Sequence, residues 1–424
     1  MRLLPRLLER AVRKGRLELT GPGGEVWRFG DGDGPQAAIR IHDASLDWRI
    51  PLNPELKAAE AFMDGTLTME RGDVHDLMEV FFVNKRAFDL SPGQILFRTL
   101  ARRARRFLTY NTLSRASANA KAHYDIGDDL YRLMLDADMQ YSCAYWAEGA
   151  TTLEEAQTAK KRRIAAKLNL SPGQRVLDIG CGWGGMALYL AAVADVEVVG
   201  VTLAENQLAV ARARAEAAGL SERVRFELRD YREVRGTYDR VVSVGMLEHV
   251  GVGQLQPYFL GVRDRLAPDG LALIHSITTK SPPGVTGPFI RRHIFPGGYS
   301  PSLSETVAAI EKSGLWTLDV EIWRRHYART LRAWRERFLA ARPQLEGRYE
   351  ARFLRMWEIY LASCEAVFEH GSSAVMHLQL GRLRDACPLT RGYVAENEAR
   401  LAEREGEALP RIAAATARAF GETA

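Results

Sequence analysis

The chain is poor in cysteine. Four in 424 residues, Cys143, Cys181, Cys364 and Cys387, stand at no metal-ligand spacing and in no disulfide framework. That argues against zinc-ribbon and disulfide-stapled classes, fits a reducing cytosol, and gives no metal site to expect. Long apolar runs are missing too. Nowhere are there about 18 uninterrupted apolar residues, and residues 1–14 hold too short an apolar stretch for a signal segment, with no cleavage site. The expectation is a protein that is soluble or lies on a membrane without crossing it. A third absence is local: no acid occurs between Arg98 and Lys121, where Arg98, Arg102, Arg103, Arg105, Arg106, Arg115 and Lys121 supply seven cations.

At 424 residues the chain exceeds one ordinary domain, so two or three units are expected. Its charge of 58 − 53 = +5 favours an anionic partner, either nucleic acid or an acidic lipid surface. The basic run adjoins Phe97, Leu100, Phe107 and Leu108. Such a segment can hold anionic lipid head groups at about 1 kcal/mol per cation, or simply be a solvated interdomain helix. No nucleic-acid-binding motif accompanies it, which places lipid ahead.

Residues 176–185, Val-Leu-Asp-Ile-Gly-Cys-Gly-Trp-Gly-Gly, read as a buried parallel strand that breaks into a glycine loop opening a helix. Gly180, Gly182 and Gly185 satisfy a dinucleotide pattern as well as that of S-adenosylmethionine. Asp178 separates the two. A carboxylate there would repel a pyrophosphate but suits a ligand carrying an ammonium and a sulfonium. The next strand, 196–202, also ends without an acid for a nicotinamide ribose. The methyl donor is favoured over the dinucleotide, and a turn that binds nothing ranks below both.

In chain order, residues 1–19 read as a basic amphipathic helix with Leu3, Leu4, Leu7, Leu8 and Val12 on one face, either interfacial or packed on its own domain. A small α+β module without clustered catalytic residue types runs to about residue 95, and the basic linker covers 96–122. Aromatics, a hydroxyl and a thiol concentrate at 123–131 and 139–146. Thr152-Leu-Glu-Glu155 is a capping box opening a helix to about Leu168. Strands at 175–179, 196–201, 223–228, 239–244 and 271–276 then alternate with helices from 184, at 204–218 and at 254–266. This is the pattern of a doubly wound α/β sheet with its site at the carboxyl ends of the strands. A Pro/Gly-rich loop at 278–304 looks like a lid, in which Arg291, Arg292 and His293 are candidates for head-group phosphates. Helices at 327–342 and 349–370 follow, the catalytic segment closes near 395, and 396–424 is a charged, Ala-rich tail.

Seven motifs in order carry a resemblance: His123-Tyr-Asp, Gln140-Tyr-Ser-Cys-Ala-Tyr-Trp, Leu177-Asp-Ile-Gly-Cys-Gly-Trp-Gly, Gly200-Val-Thr-Leu, Gly245-Met-Leu-Glu-His-Val-Gly, Ile294-Phe-Pro-Gly-Gly-Tyr and Tyr327-Ala-Arg-Thr-Leu-Arg-Ala-Trp. Together they resemble the cyclopropane fatty acid synthases, including the mycolic acid cyclopropane synthases, from about residue 120 to 385. Ala59-Glu-Ala-Phe-Met-Asp-Gly extends the likeness loosely into the first module. The resemblance implies a class I, Rossmann-like methyltransferase sheet with a small N-terminal α+β accessory domain for membrane docking and dimerisation, and helical C-terminal additions. It implies a cytoplasmic enzyme peripherally associated with the inner face of the membrane, acting there as a homodimer on unsaturated phospholipid acyl chains.

The implied chemistry is methyl transfer from S-adenosylmethionine to a cis alkene, a poor nucleophile that must be held in line and dry. A carbocation results, and a bound bicarbonate removes the proton whose loss closes the ring. Carried over by position, the bicarbonate pocket is Cys143, Glu248, His275, Ile277 and Tyr327. The donor site is Tyr124 and Ser142 at the methionine part, Asp178, Gly180 and Gly182 at the turn, Thr202, Leu203 and Gln207 at the ribose, and Asp230, Tyr231 and Arg232 at the adenine edge. His249, His293 and His326 receive no role. Three alternatives remain: a relative that resolves the cation into a methyl or methylene branch with a partner redox enzyme, a catalytically silent lipid-binding scaffold, and a methyltransferase for nucleic acid or small molecules.

Overall fold

The computed structural model describes residues 1–89 and 127–421. In chain order the elements are α1 (Leu3–Ala11), β1 (Arg16–Thr20), β2 (Val26–Phe29), β3 (Gln36–Ile41), α2 (Leu46–Leu52), α3 (Pro54–Asp64), β4 (Leu67–Arg71), α4 (Val74–Val83) and α5 (Lys85–Asp89). After the undescribed stretch come α6 (Asp128–Met134), α7 (Leu153–Lys167), β5 (Arg175–Ile179), α8 (Gly185–Ala194), β6 (Glu197–Thr202), α9 (Glu205–Ala217), β7 (Val224–Leu228), β8 (Tyr238–Val244), α10 (Leu255–Arg265) and β9 (Leu266–Thr279). The last are α11 (Leu303–Ser313), β10 (Trp316–Trp323), α12 (His326–Leu345), α13 (Ala351–His370), β11 (Ser373–Gly381) and α14 (Gly392–Ala419).

Two compact units share these elements. The first holds the described residues up to 89 together with Gly284–Pro296 and Ala328–Ser373; the second holds residue 127 to Pro283, Gly297–Tyr327 and Ala374 onward. The units are therefore not consecutive segments of the chain. Of the expected lid, residues 284–296 cluster with the first unit, and the basic linker at 96–122 lies outside the described residues.

The first unit carries a mixed sheet of order β2-β1-β3-β4, parallel between β1 and β3 and antiparallel elsewhere. The expected helix over 1–19 stops at Ala11, because Gly15 takes a positive φ of 76° and leads directly into β1. Asp47 caps α1 from a distance, accepting the backbone N–H groups of Arg2, Leu3 and Leu4 at 2.9–3.0 Å. Leu4 and Leu8 are buried, so much of the apolar face of α1 packs on its own unit. Helix α13 packs on α3 and α4, where the fully buried Glu365 binds Arg332 and Arg335, each at 2.8 Å, and His75 at 3.2 Å.

The second unit is built on a seven-stranded sheet of order β10-β11-β9-β8-β5-β6-β7. Strands β9, β8, β5, β6 and β7 run parallel, and the order reverses between β5 and β8. That reversal is the topological switch point at which open α/β sheets bind ligands. Every residue of α8 is buried, since the helix lies between the sheet and α14. The Thr152 capping box forms as expected: the Thr152 hydroxyl accepts Glu155 N–H at 3.2 Å and Glu155 accepts Thr152 N–H at 3.0 Å.

Three features depart from the sequence reading. β10 and β11, paired antiparallel, were not expected, so the C-terminal additions are not purely helical. The expected tail from 396 forms most of the 28-residue α14, which buries Val394, Leu401, Ala408, Ile412 and Ala415 against α7, α8 and α9. Glu405 anchors it, accepting from the Tyr189 hydroxyl at 2.6 Å and from Arg162 Nε at 2.9 Å. β9 also begins at Leu266, earlier than its apolar run suggests.

Candidate active site

At the end of β5 the chain turns through Gly180, Gly182 and Gly184, with φ of 83°, 54° and 85°. Two of these glycines are needed for different reasons. A Cβ on Gly184 would lie 2.6 Å from the Phe226 ring, whereas one on Gly182 would meet nothing within 4 Å. Gly184 thus allows the loop to pack on β7, and Gly182 leaves open space over the loop. Gly180 and Cys181 both donate N–H bonds to the Val201 carbonyl at 3.0 Å, pinning the loop to β6. Asp178 beneath it is 1% exposed, and its Oδ2 has no hydrogen-bond partner. Burial alone raises its pKa to about 7. A buried carboxyl without a countercharge, next to open space over a glycine turn, fits a cationic ligand.

Around this loop, Thr202 and Gln207 are buried and Leu203 is half-buried at the end of β6. The Thr202 hydroxyl accepts Ala204 N–H at 3.2 Å and lies 3.5 Å from Gln207 Oε1. The Arg232 guanidinium holds the Asp230 carboxylate at 2.7–2.8 Å and so fixes its orientation. Tyr231 is buried under that guanidinium, and burial raises its pKa to about 12. Tyr124 lies outside the described residues.

Ser142 and Cys143 sit on a segment held by α7. Gln157 donates to the carbonyls of Gln140 and Ser142 at 3.1 and 3.0 Å. Lys160 Nζ donates to Gln140 Oε1 at 2.6 Å and to the Ser142 hydroxyl at 2.8 Å. Lys160 is fully buried, which brings its pKa down to about 7, and its charge acts on nearby Cys143 and His275.

Glu248 follows β8 and His275 stands on β9 opposite Val244, so the parallel β8–β9 pairing brings the two chain regions together. Glu248 Oε1 accepts the backbone N–H of Ile277 at 2.5 Å, and its carbonyl accepts Tyr299 N–H at 2.8 Å. Burial raises the Glu248 pKa to about 7, against the Ile277 N–H and a weaker interaction with the Ser276 hydroxyl, and its buried Oε2 makes no well-aligned hydrogen bond. His275, 2% exposed, is held neutral by burial and by nearby Lys160 and Lys167, and its Nδ1 lies 2.8 Å from His377 Nε2. Tyr327 is half-buried and is placed through its neighbour: His326 Nδ1 accepts Trp146 N–H at 2.9 Å and its ring stacks on Tyr145. The structure thus joins Glu248 directly to Ile277 on the strand that carries His275, and ties the Cys143 and Tyr327 segments to the same region through Tyr145, Trp323 and His326. His249 is half-buried, and loss of solvation brings its pKa down to about 4.

The family model for mycolic acid cyclopropane synthetase matches residues 111–378. The chain belongs to that family. With it the chain belongs to the S-adenosylmethionine-dependent methyltransferases. The cyclopropane-fatty-acyl-phospholipid synthase of Escherichia coli K12 is 40% identical over 337 residues, which is 78% of this chain and 84% of that one. The solved cyclopropane synthase MmaA2 of Mycobacterium tuberculosis is 33% identical with a TM-score of 0.61, over 64% of this chain and 99% of that one. Mycolic acid cyclopropane synthase CmaA1, solved in complex with SAH and CTAB, is 32% identical with a TM-score of 0.58, over 62% of this chain and 97% of that one.

Sequence reading missed the polar side chains that support these cyclopropane-synthase motifs. Gln157 and Lys160 look like ordinary members of a charged helix, and His377 is one histidine in an apolar strand. Position alone, one turn apart on the helix facing residues 140–143, could have flagged the first two.

Proposed function

We propose that the protein transfers a one-carbon unit from S-adenosylmethionine to the cis double bond of unsaturated phospholipid acyl chains and closes a cyclopropane there. The observation that carries this reading is Glu248, in a chain of this family: a carboxyl whose pKa burial raises to about 7, with one oxygen on Ile277 N–H and the other buried without a well-aligned hydrogen bond. Asp178 supplies the negative charge for the donor's cation, and the open face of Gly182 lets backbone approach it. Thr202, Leu203 and Gln207 border the ribose side, and Ser142 the methionine side. Asp230, oriented by Arg232, borders the adenine together with Tyr231 and Arg232.

Cys143, Glu248, His275, Ile277 and Tyr327 would hold bicarbonate, which supplies a base that cannot trap the carbocation as a protein carboxylate could. The fit is chemical: a carboxyl with its pKa near 7 can donate to an anion instead of repelling it. Cys143 and His275 are buried, which helps keep water from the cation.

Docking at the membrane is supported within the first unit. Trp48 and Leu52, one turn apart on α2, are 53% and 73% exposed, and Leu3 on the adjoining α1 is 50% exposed. Arg2, Arg6 and Arg10 are exposed on α1, so apolar and cationic groups share one region, the composition of an interfacial site. No helix among the described residues is long and apolar enough to cross a membrane.

The test is incubation with S-adenosylmethionine and vesicles of monounsaturated phospholipid, followed by acyl mass measurement and NMR. A gain of one CH₂ with cyclopropyl protons is expected. The same mass with vinylic or exomethylene signals would replace this reading with the branching reaction, and no product would remove both.

A further inference from the structure

A line of polar side chains inside the second unit ends on His275. His275 Nδ1 lies 2.8 Å from His377 Nε2, and His377 Nδ1 lies 3.5 Å from Lys167 Nζ. Lys167 is ion-paired with Glu321, which Arg163 also holds at 3.0 Å. Burial opposes ionisation of both partners and lowers the Lys167 pKa, but Lys167 and Arg163 bring the Glu321 pKa to about 2, and the ion pair with that carboxylate in turn favours the ammonium form of Lys167. Trp323 covers the His377 ring with centroids 3.9 Å apart and meets the edge of His275 at 5.4 Å, which fixes both ring planes. His275, His377 and Lys167 are all buried.

Each link permits one direction. An ammonium can only donate, so the His377 nitrogen facing Lys167 must be bare. A neutral His377 then carries its proton on Nε2 and donates it to His275 Nδ1. Neutral His275 in turn keeps its proton on Nε2. The reverse arrangement would set an N–H of His377 against the Lys167 ammonium. Burial, and then the neighbouring cations, keep both rings from gaining the second proton that would remove the choice.

We propose that Lys167 and His377 are positioning residues that fix the tautomer of His275, so that its Nε2–H is the donor offered to a bound oxyanion. This rests on the reading of the pocket given under the proposed function. It assigns work to two residues outside the five-residue pocket, and it predicts which nitrogen of His275 is protonated before any ligand binds.

Long-range ¹H–¹⁵N correlation spectra of the full chain, labelled at histidine nitrogens and recorded at mildly alkaline pH, read the tautomer directly. H275Q and H377Q serve for assignment, and either alone identifies the hydrogen-bonded pair. Both rings are expected as Nε2–H tautomers in the unsubstituted protein, with Nδ1–H appearing in K167M. A protonated Nδ1 on His275 in the unsubstituted protein would overturn the inference whether or not K167M folds, and so would an unchanged K167M spectrum. K167M is also expected to lower kcat about tenfold or more at unchanged donor Kd, the scale of losing a partner that orients a functional histidine. Equal kcat values would overturn the positioning role. The tautomer is read without substrate, so its failure is distinguishable from a failure to form cyclopropane.

Discussion

Glu248 accepts the backbone N–H of Ile277 through one carboxyl oxygen and leaves the other buried without a well-aligned hydrogen bond. One oxygen therefore fixes the orientation of the group, and the second is what it can offer a ligand. Glu248→Gln keeps the shape and the acceptor but cannot release or take up a proton. Turnover on lipid vesicles is expected to fall about 10²-fold or more, with donor affinity measured by calorimetry nearly unchanged. Full activity would remove Glu248 from the pocket.

Asp178 gives a prediction in pH. Its folded pKa, about 7, lies above its ordinary 3.8 because burial disfavours the charge. The destabilisation is absent below the ordinary value, where folded and unfolded chains are both protonated, and is complete above about 7. On that scale the site costs roughly 4 kcal/mol at mildly alkaline pH. Asp178→Asn is expected to raise the urea midpoint of the ligand-free protein there, with the gain closing toward acid pH. A flat difference across pH would mean that another group compensates the charge.

The same carboxyl couples donor binding to proton release. A sulfonium and ammonium near Asp178 favour its ionised form, so binding just below neutral pH should expel a fraction of a proton. Calorimetric titrations with S-adenosylmethionine in two buffers of different ionisation enthalpy measure it. Asp178→Asn should abolish the buffer dependence, and its persistence would place the released proton elsewhere.

Lys160 holds the Ser142 segment from inside the protein, with Asp136 and Asp138 as its anionic neighbours. Removing one member of a buried charged network leaves the others uncompensated, at about 3–5 kcal/mol. Lys160→Met is expected to lower the urea midpoint by that order and to weaken donor binding. Unfolding curves matching the unsubstituted protein would show that the network is not coupled to the fold.

Trp48 and Leu52 are expected to matter only at the lipid surface. Each side chain is worth about 1.5–3 kcal/mol when fully transferred out of water, so Trp48→Ala with Leu52→Ser should weaken vesicle sedimentation at least tenfold. Donor affinity in solution should not change. Undiminished vesicle binding would move the docking surface elsewhere.

What the sequence disclosed follows from pattern strength. Strands β5 to β9 are short apolar runs separated by glycine turns and helices, so their alternation was legible. β10 was not, because Asp319 and Glu321 interrupt it on a mostly half-buried strand. α14 was read as a tail because its apolar residues are widely spaced among charges, although Val394, Leu401, Ala408 and Ile412 mark one buried face. At the site, Glu248 and His275 could be placed at neighbouring strand ends, but their meeting through Ile277 depends on the β8–β9 register. His377 belongs to a strand far along the chain, and nothing local to it signals that its ring meets His275.

The distribution of the two units along the chain has a consequence for how the protein can be handled. The chain passes from one unit to the other five times, at the undescribed stretch and at 283/284, 296/297, 327/328 and 373/374. Within the first unit, Arg352 reaches back 288 residues to Asp64. A fragment ending near residue 95 would lack α13, and the surfaces of α3 and α4 that it covers would meet solvent. Limited proteolysis or truncation at the apparent linker therefore cannot deliver the first unit intact, whereas every described piece of the second lies on its C-terminal side. Completing the first unit needs such contacts across 288 residues, the class of long-range contact that slows folding.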